Sequence, residues 1–364
     1  MVLFIDEALV SKINVLPNYN VFIQKLMLNY SEGKHLVIIS PKNVKSILDN
    51  GGLDSFTENY LRHYFSHNKG ALSSLSLFNR VIKIVPSISD ETSYTDMLTK
   101  KEFVCIEMQR FLDTANFQKT ILLGENGSDI KVYALMAEFY RRESKLLSFK
   151  INFKGQGGGG STISKEYETI HNSKEDFCFC LMDSDRKNPD MCLGDTAKKV
   201  VEFSEKNFMV NFKCSYFVID VLELENLLPK SFYVNYYENF HLEKKGGIDK
   251  LEKLQGIDKK SINYFDFKNG LGSLGKITDE SVMMYWYDLI SRSNIKCDIC
   301  IDSHALEYGY IKGYGDNILV NFLKLKENDS FYFINLDKKI KNKWLELGEI
   351  LSSYLFSHDK IRAI

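Results

Sequence analysis

Neither sign of charge dominates this chain. Its 47 Lys and Arg against 48 Asp and Glu leave a net charge of −1, which excludes a globally basic nucleic-acid binder. Contact with a polyanion would have to come from local lysines such as Lys244-Lys245, Lys250, Lys253, Lys259-Lys260 and Lys338-Lys339-Ile340-Lys341-Asn342-Lys343, each of which also reads as a solvated helix face. No apolar run approaches the roughly 20 residues that a membrane-spanning helix needs. The stretch Met1-Val2-Leu3-Phe4-Ile5-Asp6-Glu7 has no basic n-region and reaches acid early, so a cytoplasmic protein without membrane contact is expected. There are seven cysteines, and Cys178, Cys180 and Cys214 lie inside apolar runs, as small buried hydrophobes do. Cys297-Asp298-Ile299-Cys300, with Asp302 and His304 nearby, has no second pair to complete a four-ligand zinc site. The glycine run at 155–160 lacks the Gly-Lys-Ser/Thr ending of a nucleotide P-loop. No internal repeat is visible.

What is present is a set of acids after buried strands. Thr120-Ile121-Leu122-Leu123 leads to Gly124-Glu125-Asn126-Gly127-Ser128-Asp129, Phe177 to Met182 leads to Asp183-Ser184-Asp185, and Tyr216-Phe217-Val218-Ile219 leads to Glu223-Leu224-Glu225-Asn226. Short apolar runs separated by helical segments are what a parallel α/β sheet needs. Acids just past the strand ends would emerge on the edge where open α/β sheets bind ligands. Clustered carboxylates repel unless a cation neutralises them, and an all-oxygen set suits magnesium or manganese. Asp129 also reads as a helix cap, Asp183 and Asp185 also as a polar turn, and Glu225 also as a first-turn acid with Glu223 as its rival.

At 364 residues the chain has room for two or three domains. Residues 1–115 read as an α/β region with strands at 35–39 and 81–85, helices at 22–28 and 56–64, and a long amphipathic helix from Asp90 or Thr92 to about Leu112. His63 and His67 stand at i, i+4, but scattered surface histidines are the simpler reading. Residues 116–235 alternate strand and helix: strand 119–123, helix 129–143, a second strand over 147–153 running into the glycines, a third before Asp183, helix 196–206 and a fourth strand before Glu223. Residues 236–364 read as mostly helical, with turns at Asp266 to Gly272 and Gly313 to Asn317. The glycines at 155–160 permit close approach of a ligand phosphate or a neighbouring strand, or form a plain flexible turn.

In order, these residues resemble the TOPRIM domain, the metal-binding α/β unit of topoisomerases, bacterial primases and nucleases of the overcoming-lysogenization-defect (OLD) type. The likeness covers roughly residues 118–230. Glu125 with Asp129 matches a first motif of Glu-Gly-X-Ser-Asp style, and Asp183-Ser184-Asp185-Arg186 matches the Asp-X-Asp motif. Asn126 departs from the family, which usually has glycine there, and Gly127 follows one place later. Glu225-Asn226 looks like the Glu-Asn of stand-alone TOPRIM nucleases in anti-phage systems, some of which act beside an ABC-type ATPase. The resemblance implies a Rossmann-like parallel sheet flanked by helices. It also implies an endonuclease in which two Mg²⁺ or Mn²⁺ ions about 4 Å apart cleave phosphodiesters of DNA, RNA or tRNA. Glu125, Asp183 and Asp185 would hold the ions, and Asp129 and Glu225 would complete the second ion's ligands directly or through water. A lysine would neutralise the phosphate: Lys187, nearest the acids, or Lys268 or Lys276. A homodimer follows by analogy with the two strands of a duplex. A primase-like nucleotidyl transferase and a non-catalytic assembly subunit are the alternatives.

Overall fold

The computed structural model describes residues 1–207, 210–271, 277–293, 311–325 and 336–361. Lys276, Gly272 and the Cys297 to His304 segment lie outside them. The chain is α/β, with two principal sheets whose strands pair mainly in parallel. It divides into two compact units, one of Met1–Cys180, Phe203–Tyr216 and Trp344–Ile364, the other of Leu181–Glu202 and Phe217–Lys343.

In the first unit a five-stranded sheet runs β2-β1-β3-β5-β4, built from β1 (Val2–Ile5), β2 (Leu36–Ile39), β3 (Arg80–Val85), β4 (Thr92–Thr95) and β5 (Glu102–Glu107). Strand β1, Val-Leu-Phe-Ile, and the edge strand β2, Leu-Val-Ile-Ile, are apolar throughout, as in a parallel sheet covered on both faces. Helix Tyr19–Ser31 buries Phe22, Ile23, Leu26, Met27 and Tyr30. Ser40 caps helix Pro41–Asn50 by accepting the Asn43 N–H at 3.1 Å, with Pro41 in the first turn, where its missing N–H costs nothing. His63 and His67 stack at 4.0 Å, and His63 Nδ1 lies 3.0 Å from the Tyr30 hydroxyl.

The helix expected from Asp90 or Thr92 to Leu112 is not there. Residues 92–95 and 102–107 form strands instead, antiparallel to one another, with β5 parallel to β3 over six residues. That pairing buries Val104, Cys105 and Ile106, and β-branched residues gain more from sheet packing than from a helix of the same spacing. Val2–Ile5, a strand with no counterpart in the sequence reading, pairs with both β2 and β3.

The second sheet has order β10-β9-β6-β8, from β6 (Ile121–Gly124), β8 (Lys154–Gly157), β9 (Cys178–Asp183) and β10 (Cys214–Ile219). Strands β8 and β9 both pair in parallel with β6. The strand expected at 147–153 is displaced: Lys150–Ile151, here β7, pairs antiparallel with Phe356–Ser357, and the sheet takes Lys154-Gly155-Gln156-Gly157 in its place. A Cβ on Gly155 would meet the Ile130 side chain of helix Gly127–Glu143 at 3.0 Å, a tight contact that glycine avoids. Cys105, Cys178, Cys180 and Cys214 are buried and unbonded. Among the described residues, no helix is long and apolar enough to cross a membrane.

Two buried histidines set an acid limit in the first unit. His358 is 8% exposed, sends Nε2 to the Val37 carbonyl at 2.8 Å, and is pushed down to about 4 by burial. Burial also holds His35 well below its usual range. A base whose folded pKa is depressed contributes stability above its unfolded value of about 6.5, and this is lost as pH falls toward the folded value. Urea unfolding should therefore show a loss of about 2 kcal/mol between pH 7 and pH 5 from His358 alone. A His358→Gln variant should lack this contribution, and an unchanged difference between pH 7 and pH 5 in that variant would refute the assignment.

Candidate metal-type carboxylate site

In the first unit Glu125 follows β6 directly, and its negative charge, after burial, helps push the Cys180 thiol up. Asn126 caps helix Gly127–Glu143: its Oδ1 accepts the N–H groups of Ser128 at 2.9 Å and Asp129 at 3.3 Å. Asp129 answers by accepting the Asn126 N–H on Oδ2 at 3.0 Å, a reciprocal capping box, and is 5% exposed. Of the two roles open to Asp129 in sequence, capping is therefore occupied. The glycines back onto this loop, with Gly158 N–H bonding Gly124 O at 2.8 Å and Gly160 N–H bonding Glu125 O at 3.0 Å. Gly159 and Gly160 have φ of +68° and +66°, and a Cβ on Gly158 would stand 2.5 Å from Ile163. Close backbone approach to the neighbouring strand is thus what these glycines provide.

The second unit gathers the remaining acids. Asp183 accepts the Leu224 N–H on Oδ2 at 2.8 Å, tying the end of β9 to the Glu223–Glu225 turn. Ser184 reinforces the tie, donating its N–H at 3.0 Å and its hydroxyl at 2.8 Å to Val221 O. Asp185 has φ of +55°, a left-handed conformation, and a Cβ on Gly194 would lie 2.5 Å from its side chain. Burial raises the Asp185 pKa, opposed by the charges of Lys268 and Lys187.

Glu225 is 3% exposed, and Lys268 Nζ stands 3.3 Å from its Oε1 and 3.5 Å from Glu223 Oε1. Glu223 Oε2 is buried with no hydrogen-bond partner. Burial first, and then the Glu225 charge, push the Glu223 carboxyl up to about 7. For Lys268, burial disfavours the charged form, but Glu225 and Glu223 outweigh it and raise the pKa. The turn is braced by Asn226, 2% exposed, which donates to Ile262 O at 2.6 Å and Phe265 O at 2.8 Å and accepts the Glu223 N–H at 2.9 Å.

Asp183, Asp185, Glu223, Glu225, Lys187 and Lys268 thus share one neighbourhood within the second unit. The lysine paired with the glutamates is Lys268, more than 40 places further along the chain; its turn was visible in sequence as Asp266-Phe267-Lys268-Asn269-Gly270, but its partners were not. All the acids offer hard oxygen donors, and the orphaned Glu223 oxygen suits a cation. Among the described residues, no three His, Cys, Asp or Glu side chains are grouped as a metal cage. A scan against protein-family models finds no match, and searches of the curated proteins and of the solved structures find none either.

Proposed function

We propose that this chain is a metal-dependent TOPRIM-type endonuclease, similar to the OLD-like anti-phage effectors, that hydrolyses phosphodiester bonds of DNA or RNA. The observation that carries the reading is the Asp183–Leu224 bond. It fixes a strand-end aspartate to a turn whose two glutamates, Glu225 buried and Glu223 half-buried, are held against a single ammonium. Such a concentration of carboxylates is costly, and a charge-handling role accounts for it.

On this reading Glu125, Asp183 and Asp185 hold Mg²⁺ or Mn²⁺, with Asp129 and Glu225 completing the set directly or through water. Bound ions would activate water and stabilise the leaving oxygen. The chain's own residues orient the ligands: Leu224 N–H aims Asp183, Gly194 leaves room for Asp185, and the Asn126 cap sets the loop after β6. Lys187 is the proposed phosphate-neutralising lysine, with Lys268 its competitor for that role. A homodimer and an ABC-type ATPase partner belong to the same proposal.

Purified protein incubated with plasmid and tRNA, with Mg²⁺, Mn²⁺ or EDTA, tests it beside Glu125→Ala and Asp183→Ala. Cleavage with either metal, lost in EDTA and in both variants, is the expected outcome. Cleavage that persists in both variants would overturn the reading.

A further inference from the structure

We propose that Lys268 is a built-in counter-cation: its ammonium occupies the charge position at Glu223 and Glu225, and a divalent ion must displace it before Glu225 can take metal. The inference rests on the metal reading above and adds to it an autoinhibitory contact.

The pairing is one ammonium against two carboxylates, at 3.5 and 3.3 Å, with Glu225 almost fully buried. An exposed lysine can swing away from such a pair at little cost, but the backbone of Lys268 is held on both sides. Asp266 turns the chain, accepting Asn269 N–H on Oδ1 and Gly270 N–H on its carbonyl, both at 2.7 Å. The opposite strand grips the turn through Tyr314 N–H to Phe267 O at 2.7 Å and Gly315 N–H to Lys268 O at 3.0 Å. These contacts extend a short antiparallel ribbon in which Gly270 pairs with Lys312 and Leu271 with Ile311. Gly270 has φ of +78°, and a Cβ on Gly313 would stand 2.1 Å from Lys268 O, so both positions are built for this close approach. Only the lysine side chain has room to respond, and 32% exposure gives it a route to solvent.

A second positive charge at the same oxygens repels the first, so the ammonium and a divalent ion exclude one another at this place. A lock closed in nine molecules of ten reduces apparent metal affinity about tenfold. Linkage is reciprocal: if Lys268 weakens metal binding, metal releases Lys268 by the same factor.

Mn²⁺ binding to the full chain, followed by the electron paramagnetic resonance of free Mn²⁺, tests this with Lys268→Met and Lys268→Arg. Lys268→Met should bind at least about tenfold more tightly than the unaltered protein, and Lys268→Arg, which keeps the charge, should stay within a few-fold of it. Tight binding by Lys268→Met beside undetectable binding by the unaltered chain supports the lock as well. A second arm needs no variant. Acetylation of Lys268, read by mass spectrometry against exposed Lys42, should speed up several-fold on adding Mn²⁺. If Lys268→Met is ill-folded, that arm decides. Equal or weaker Mn²⁺ binding by a folded Lys268→Met, or Mn²⁺-independent labelling where Mn²⁺ binds, overturns the lock and leaves the metal reading standing. Binding by neither protein overturns the metal reading, and the lock with it.

Discussion

Glu225→Gln should lower metal-dependent phosphodiester cleavage by roughly 10- to 100-fold, the loss typical when a group supporting a metal's ligand set is removed. Glu223→Gln should cost far less. The two glutamates are two residues apart and share Lys268, yet their environments differ. Glu223, pushed up to about 7, is partly protonated at neutral pH, and a metal ligand must be deprotonated. Glu225 stands closer to the ammonium, at 3.3 Å against 3.5 Å, and is the more deeply buried, which suits it to hold a fixed charge inside the site. Initial rates on plasmid with Mn²⁺, taken for both variants at one pH, check the order. A larger loss in Glu223→Gln would exchange the roles assigned to the pair.

Asn226→Ala should destabilise the second unit by about 3–5 kcal/mol. Its amide serves three backbone groups, Ile262 O, Phe265 O and Glu223 N–H, and alanine would remove all three bonds and leave the two carbonyls buried. Phe265 lies 6.3 Å from the ring of Trp286, so that indole reports on this packing. The chain has two tryptophans, and Trp344 belongs to the other unit. In a Trp344→Phe background, denaturant unfolding followed by Trp286 fluorescence isolates the effect. A shift below about 1 kcal/mol would show that water or a relaxed turn replaces the amide.

The parts of the fold that were legible in sequence are those where one local signal sufficed. Strands β6, β9 and β10 follow from apolar runs, and helix Gly127–Glu143 from its buried face and its Asn126-Gly127-Ser128-Asp129 start. Strand β8 was hidden because Lys-Gly-Gln-Gly has little strand propensity; it is a strand because β6 offers it hydrogen bonds, and Gly155 lets it pack closely on Ile130. Strands β4 and β5 were misread because Met97 and Leu98, which continue a helical apolar spacing, project from a turn and are 76% and 94% exposed. At the site, the Asp-X-Asp and both glutamates were visible as types in order. The pairing of Lys268 depends on a ribbon closed by Ile311–Lys312, more than 40 residues later, and no local pattern encodes that distance.

Mn²⁺ binding by equilibrium dialysis tests the central claim most directly, on the unaltered chain, Glu125→Gln and Asp183→Asn. The account predicts saturable binding by the unaltered protein, lost or weakened at least about tenfold in each variant, with far-ultraviolet circular dichroism unchanged. Saturable binding that both variants retain at full strength would contradict it.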